Sequence, residues 1–120
     1  VSTAPMNLDL PNGNNLTAAH FFVGGHNGFA LTNGRGAVNQ SSGAVSTTVG
    51  SFVLAHAAGS TGTYTLSGTG QLITSGDAEH IGYDGTGIFN QSGGSNTVSG
   101  TNLFLGTNPG GQGTYARGVR

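Results

Sequence analysis

Short clusters of apolar residues alternate along the chain with glycine, serine and asparagine, and one such pattern recurs at a regular spacing. A glycine followed two residues later by a bulky side chain opens the segments that begin at Gly36, Gly62, Gly87 and Gly113. The bulky residues, which are separated by 26, 25 and 26 residues, are Val38, Tyr64, Phe89 and Tyr115. Self-similarity with a period of about 20 to 50 residues is typical of repeat architectures. The pattern therefore predicts one structural unit repeated along the chain.

A second motif lies between these segments and indicates that the repeated unit is built from β-strands. Its apolar residues are each followed by glycine or alanine, and they are Val23, Leu54, Ile81 and Leu105. A third, weaker apolar position falls at Val49, Ile73 and Val98. No apolar stripe has a helical period, and the abundant glycine disfavours helices. Three short β segments in about 25 residues, joined by glycine, serine and asparagine turns, are typical of one coil of a β-solenoid.

Stacked coils place the same position of every repeat in one column, because successive strands lie about 4.8 Å apart. We therefore expect the first two motifs to form the core ladder of a parallel β-solenoid. A further inward column, placed at a corner, consists of Gln40, Leu66, Gln91 and Arg117. Glutamine amides in such a column can hydrogen-bond along the stack.

The chain is predicted to be a single all-β domain, residues 1–120, with about four coils of about 25 residues each. Three segments depart from the regular repeat. Residues 1–20 carry only a faint copy of it and are expected to form an irregular first coil. The spacing between Val23 and Leu54 is 31 residues, so a loop insertion is expected within residues 24–36. Residues 113–120 are expected to form an incomplete last coil.

Composition and charge exclude several classes of function. The chain has 24 glycines, but its six phenylalanines, three tyrosines and net charge of −1 are not typical of disorder. Lysine and arginine together number only 3, so the basic surface that nucleic acid requires is missing. No apolar run is long enough for membrane insertion. The absence of cysteine excludes disulfides and thiol chemistry.

The segment GIFNQSGGSNTVSGTNLFLGTNPGGQGTY, residues 87–115, resembles repeats of bacterial secreted β-strand-repeat surface proteins, both autotransporter-passenger-like and sorting-tail types. The resemblance covers residues 36–118 and implies a parallel β-helix with a structural or adhesive role outside the cell or on the bacterial cell surface. A weaker similarity links QSGGSN, residues 91–96, to the repeats of curli-type amyloid subunits. The other repeats do not keep that pattern.

Histidine is the first residue type to consider for chemistry, and the chain contains His20, His26, His56 and His80. In the predicted columns, His80 aligns with Phe22, Val53 and Phe104, whereas His56 aligns with Gly25, Tyr83 and Thr107. A site built by a repeat would repeat its ligand, and these columns do not. We therefore interpret the histidines as surface or packing residues.

Acidic residues cluster once, at Asp77, Glu79 and Asp84, which makes this segment a candidate calcium site or a solvated turn. No other cofactor is expected. The chain holds only 4 acidic residues and no nucleophile motif, so we expect no enzymatic activity. The sequons at Asn15, Asn39 and Asn90 are acceptors for N-glycans in a eukaryotic host only, and the repeat already explains two of them.

The predicted function is structural, with the chain assembling head to tail into an extracellular or cell-surface filament. Unpaired edges at the ends of a solenoid recruit other strands. The residues expected at this interface are Gly113, Thr114, Tyr115, Ala116 and Arg117, with Leu8 and Leu10. The alternative is a glycan- or surface-binding module of a longer bacterial adhesin. Exposed aromatic residues on one face, beside the 24–36 loop, would favour that alternative.

Overall fold

Thirteen short β-strands account for the regular structure of the part of the chain that the computed structural model describes, namely residues 6–8, 15–25 and 34–118. Residues 6–8 are described by their backbone alone. The strands are β1 (Met6–Leu8), β2 (Asn15–Ala18), β3 (Phe21–Val23), β4 (Arg35–Gln40), β5 (Ala44–Thr47), β6 (Phe52–Leu54), β7 (Thr61–Leu66), β8 (Gln71–Thr74), β9 (Glu79–Ile81), β10 (Thr86–Gln91), β11 (Ser95–Val98), β12 (Leu103–Leu105) and β13 (Gln112–Arg117).

These strands form three parallel sheets, and each complete coil contributes one strand to every sheet. Sheet A has the order β1-β4-β7-β10-β13, sheet B the order β2-β5-β8-β11, and sheet C the order β3-β6-β9-β12. The prediction of an all-β parallel solenoid of about four turns is confirmed, with turns about 26 residues apart. Within the described residues, no helix has the length and hydropathy needed to cross a bilayer.

Alternation along the six-residue strands of sheet A directs every second side chain into the interior. Val38, Tyr64 and Phe89 are buried and lie in register, as the first motif predicts. The rings of Tyr64 and Phe89 stack at 5.5 Å between centroids, and those of Phe89 and Tyr115 at 4.7 Å. Phe52 of sheet C meets the Tyr64 ring edge-on at 5.1 Å, so the aromatic stack joins two sheets.

Sheet C contributes the second buried column, in which Val23, Leu54 and Ile81 lie in register. Leu105 shares that register, but its expected burial is wrong, because 51% of its surface is exposed. No strand of the described residues lies beyond β12 to cover it. Tyr115 is half-buried and Arg117 is exposed for the same reason on sheet A.

Sheet B corrects the third motif, because Val49, Ile73 and Val98 do not form a column. Val49 lies in a turn and is 70% exposed, whereas Val98 pairs with Thr74 and not with Ile73. This sheet has two inner columns, one of Leu16, Val45, Leu72 and Asn96 and one of Ala18, Thr47, Thr74 and Val98. The last member of the first column is polar, so the interior changes character toward β11.

Glycine follows the sheet C motif because the chain turns there with a left-handed backbone. The residues directly after β3, β9 and β12 have φ of +97°, +82° and +70°, and they are Gly24, Gly82 and Gly106. Ala55, after β6, takes the same conformation with φ of +58°. Glycine adopts this geometry at low cost because it has no Cβ, whereas Ala55 adopts it against a steric penalty. The "glycine or alanine" of the sequence motif is therefore a corner of the coil.

The backbone of the glycine that opens each sheet A motif packs directly against this corner. A Cβ added at Gly62 would lie 2.8 Å from the amide nitrogen of Ala55 and closer still to the carbonyl oxygen of Val23. A Cβ at Gly87 would meet the backbone of Ile81 and Gly82 in the same way. Close approach of two backbones therefore requires glycine at this position in successive coils.

Tyrosine and glutamine form matched pairs between neighbouring coils of sheet A. Tyr64 donates its hydroxyl to Oε1 of Gln40 in the coil before it, at 2.5 Å, and both residues are fully buried. Tyr115 donates in the same way to Gln91 at 2.5 Å. Between these two pairs, the corresponding residues are Phe89 and Leu66, which need no hydrogen bond. Each tyrosine thus meets a glutamine that accepts its hydroxyl, and the phenylalanine meets an apolar leucine.

The Gln40 amide also ties sheet A to the turn that follows it. Its Nε2 donates to the carbonyl oxygens of Gly43 at 3.1 Å and Gln71 at 3.0 Å. Burial raises the pKa of the Tyr64 phenol, with a smaller contribution from Glu79, so the hydroxyl keeps the proton that it donates. Glutamine hydrogen bonds at this corner, which the sequence predicted, are present at Gln40 and Gln91.

The connection between β3 and β4 spans residues 24–34 and is longer than the equivalent connections 55–60, 82–85 and 106–111. This is where the sequence predicts an insertion, although residues 26–33 lie outside the described part of the chain. β13 is the only described strand of its coil, and β1 lies at the opposite edge of sheet A.

The matched pairs predict strong coupling between Gln40 and Tyr64. Gln40→Leu leaves a buried hydroxyl without its acceptor, which costs about 1–3 kcal/mol, and Tyr64→Phe leaves the glutamine oxygen unpaired. The double variant recreates the Leu66–Phe89 pair, so we expect a coupling free energy of roughly 1–2 kcal/mol in a double-mutant cycle of urea unfolding. Loss of the other Gln40 hydrogen bonds cancels in the cycle. Strictly additive effects would contradict the pairing.

Candidate functional site

The outer face of sheet C carries side chains that soluble proteins seldom expose together. Its middle column, in register from coil to coil, is Phe22, Val53, His80 and Phe104. These residues face outward because their neighbours Val23, Leu54 and Ile81 face inward. Phe22 and Phe104 are each 37% exposed, but Val53 is only 2% exposed. An outward valine is buried here because neighbouring side chains cover it.

Six rings on this face form a continuous series, which we call the aromatic ribbon: His20, Phe22, His56, Tyr83, His80 and Phe104. In that order, successive ring centroids are 6.1, 5.4, 4.7, 5.0 and 5.1 Å apart. The His56–Tyr83 and His80–Phe104 pairs are stacked, with interplanar angles of 18° and 11°. His56 and Tyr83 belong to a second column, three residues after the middle column of sheet C. The Phe22–His56 and His80–Tyr83 contacts join the two columns edge-on, with interplanar angles of 80° and 79°.

A shallow groove of about 350 Å³ runs beside the ribbon, and polar side chains form its rim. Asp77 accepts hydrogen bonds from the hydroxyls of Ser51 and Thr101, each at 3.2 Å. Thr107 Oγ1 lies 2.7 Å from His80 Nδ1 and so fixes the orientation of that imidazole. The groove therefore combines apolar rings with a few oriented polar groups, as small-molecule sites commonly do.

Burial in the groove favours the neutral form of the His80 imidazole at neutral pH. Burial lowers the pKa of His80, Asp77 opposes this shift, and His56 adds to it. Among the described residues that line the groove, Asp77 is the one acidic side chain, and none is lysine or arginine. A ligand in the groove therefore meets rings, hydroxyls and a single carboxyl group.

The predicted calcium residues do not converge. Asp77 lies outside on the groove rim, Glu79 is fully buried in the interior, and Asp84 accepts a hydrogen bond from the Asn108 amide at 2.8 Å. In the segments that the structure describes, no three histidine, cysteine or acidic side chains are grouped to hold a metal ion. The arrangement does not support the calcium hypothesis.

Glu79 is the residue that sequence reasoning misplaced most clearly. It stands two positions before Ile81 on β9, so alternation directs it inward, in register with Phe52. Its oxygens accept from Asn96 Nδ2 at 2.7 Å and Thr74 Oγ1 at 3.2 Å. Burial raises its pKa, and these two hydrogen bonds only partly offset the effect. The alternation that placed Ile81 inside would also have placed Glu79 there.

The predicted assembly residues lie at the two edges of sheet A. Gly113, Thr114, Tyr115, Ala116 and Arg117 belong to β13, whose described pairing is with β10. Leu8 ends β1 and pairs with Gln40, whereas Leu10 lies outside the described residues. β1 and β13 are therefore the two edge strands of sheet A.

The histidines were interpreted singly, and the structure brings three of them onto one face. The sequence columns placed His80 with Phe22 and Phe104 and placed His56 with Tyr83, but did not show that the two columns adjoin. His26 lies outside the described residues. The site was missed because ring contacts between columns depend on how each coil turns its corner.

No protein-family model matches the chain, and searches of curated proteins and of solved structures gave no match either. The resemblance of the repeats to bacterial surface proteins therefore stays a prediction.

The buried carboxyl group predicts an unusual pH dependence of stability. Because the pKa of Glu79 is raised on folding, the native state holds this proton more tightly than the unfolded state, whose pKa is about 4.3. Stability should therefore fall as the pH rises from about 4 through the native pKa. Glu79→Gln should remove this fall in thermal unfolding, whereas Asp77→Asn, an exposed control, should retain it. His80 is present in wild type and in Glu79→Gln, so its titration does not distinguish the two. Equal pH profiles of these two proteins would contradict the raised pKa of Glu79.

Proposed function

We propose that this chain is a non-catalytic binding module of an extracellular or bacterial cell-surface protein, and that the aromatic ribbon binds carbohydrate. The observation that carries the proposal is the series of six rings along one outer face, bordered by hydroxyl groups and a carboxyl group. Exposed aromatic residues on one face are what the sequence analysis set as favouring a binding module, and the loop named with them lies mostly outside the described residues.

Sugars fit this chemistry because a pyranose ring has apolar C–H faces and polar hydroxyl edges. Aromatic rings attract C–H groups, and the exposed surface of Phe22 and Phe104, 37% of each side chain, is available for such a contact. Asp77 and Thr107 stand where sugar hydroxyls would meet hydrogen-bonding partners at the rim. Apolar rings with convergent polar groups thus support binding of a saccharide over binding of a wholly apolar ligand.

The groove is a poor candidate for hydrolysis of the sugar that it would hold. Glycosidases use two carboxyl groups on opposite sides of the scissile bond. Asp77 is the one carboxyl group among the described lining residues, and Glu79 points into the interior. We therefore propose recognition without catalysis.

The ribbon predicts weaker binding when the phenylalanine ring of its first or last coil is removed. Phe22→Ala and Phe104→Ala should each weaken retention on neutral polysaccharides in affinity electrophoresis by about threefold to tenfold, since one aromatic contact contributes roughly 0.5–1.5 kcal/mol. The matched control is Ile88→Thr, which gives an outward residue of sheet A the side chain of its neighbours Thr63 and Thr114. No retention of wild type on any saccharide, or equal retention of all variants, would refute the function.

Self-association at the end of the solenoid is a second proposed function. Leu103, Phe104 and Leu105 of β12 are 44%, 37% and 51% exposed, and a further coil stacked on β12 would cover them. That coil would come from the same polypeptide or from a second copy, and only the second case gives a filament.

Sedimentation equilibrium tests the filament directly. If copies stack end to end, the average mass should rise with concentration, and Leu105→Thr should lower it by removing apolar surface from the interface. Val49→Thr, which changes a 70% exposed valine in a turn, is the control and should leave the mass unchanged. A concentration-independent monomer would rule out this role for the chain.

A further inference from the structure

We infer that the ligand of the aromatic ribbon is an uncharged, extended polysaccharide that lies along the solenoid axis and crosses one coil with each sugar. This inference rests on the proposed function and specifies the class of saccharide and its direction. Three features support it, namely the order of the rings, their spacing and the charge of the groove.

The ribbon runs along the axis because its rings come from successive coils. The first coil contributes Phe22 on β3 and His20 just before that strand, and the second coil contributes His56 just after β6. His80 lies on β9, with Tyr83 just after it, and Phe104 lies on β12. A ligand that contacts the whole series must therefore cross all four coils.

The spacing of the rings suits a polymer with one ring-shaped unit per step. Coils follow one another at about 4.8 Å, so the path from the first coil to the fourth is about 14 Å long. The ring pairs that join adjacent coils between Phe22 and Phe104 have centroid distances of 4.7 to 5.4 Å, whereas Tyr83 and His80, at 5.0 Å, belong to one coil. An extended β-linked chain advances by about one such step with each pyranose. The ribbon would accordingly hold about three or four sugars.

The charge of the groove favours an uncharged chain. A carboxylated or sulfated saccharide would need cationic partners, but the described lining residues include no arginine and no lysine. Arg35 and Arg117 both belong to sheet A, on a different face of the solenoid. Asp77, at the rim, would repel an anionic chain and accept hydrogen bonds from a neutral one.

Isothermal titration with oligosaccharides of increasing length tests the direction of the ligand. The probes are β-linked oligomers of glucose and of N-acetylglucosamine, from the dimer to the hexamer, at about pH 7. Affinity should rise roughly threefold with each added sugar until about the fourth, and then stay constant once the ligand outgrows the ribbon. If the dimer binds as tightly as the hexamer, the saccharide lies across the ribbon and not along it, which would overturn the inference.

Truncation at either end sharpens the test. Phe22→Ala and Phe104→Ala should each move the plateau to an oligomer about one sugar shorter. Ile88→Thr should not move the plateau. Thermal unfolding of each variant shows whether it has folded. Because Phe22 and Phe104 lie in different coils, the same shift of the plateau in both variants would not result from one local disturbance.

Anionic oligomers test the charge argument. β-Linked oligoglucuronates of equal length should bind at least about tenfold more weakly than neutral oligomers, and Asp77→Asn should reduce that difference. Preference for the anionic series would overturn the inference while leaving carbohydrate binding in place. Absence of binding to every saccharide would instead refute the proposed function. If the ribbon variants changed sedimentation and not sugar binding, the occupant would be a second copy of the chain.

Discussion

In-register hydrogen bonding between parallel strands of successive coils is the constraint on which the rest of this structure depends. Each strand satisfies its backbone groups with the strands before and after it, so a residue's nearest neighbours lie about one repeat away in the sequence. Every position consequently packs against its own counterpart. Tyr64 stacks on Phe89, and the glycine that opens each sheet A motif fits the backbone of a corner.

The same constraint explains how much of the fold was predictable from the sequence. Bulky residues such as Tyr64 and Phe89 mark sheet A, and a small residue after Ile81 marks the corner, so both columns follow from counting. Sheet B did not follow, because one of its inner columns runs from leucine to asparagine and because the turns 41–43, 67–70 and 92–94 differ in length. A fixed period then aligns Val49 with residues that it does not meet.

The candidate site was harder to predict than the fold for a physical reason. Columns can be counted along the chain, but the aromatic ribbon depends on contacts between two columns that adjoin only at the corner after sheet C. His56 and Phe22 belong to different columns. Their edge-on contact depends on the left-handed residues that turn the chain at this corner. Glu79 differs, since strict alternation on a three-residue strand would have placed it inside.

The matched pairs of sheet A carry a further consequence for how such a protein can grow. Each hydrogen bond joins a tyrosine of one coil to a glutamine of the coil before it, whereas Phe89 and Leu66 meet without one. A coil therefore has two different faces, and each face accepts only a suitable neighbour. Duplicating or deleting one coil would place a phenylalanine over a glutamine or a tyrosine over a leucine. A duplication would keep the stability of the fold only if it copied a block of coils whose first and last coils pair correctly with their new neighbours. The unit that evolution can duplicate is therefore set by the residue pairs at its two ends.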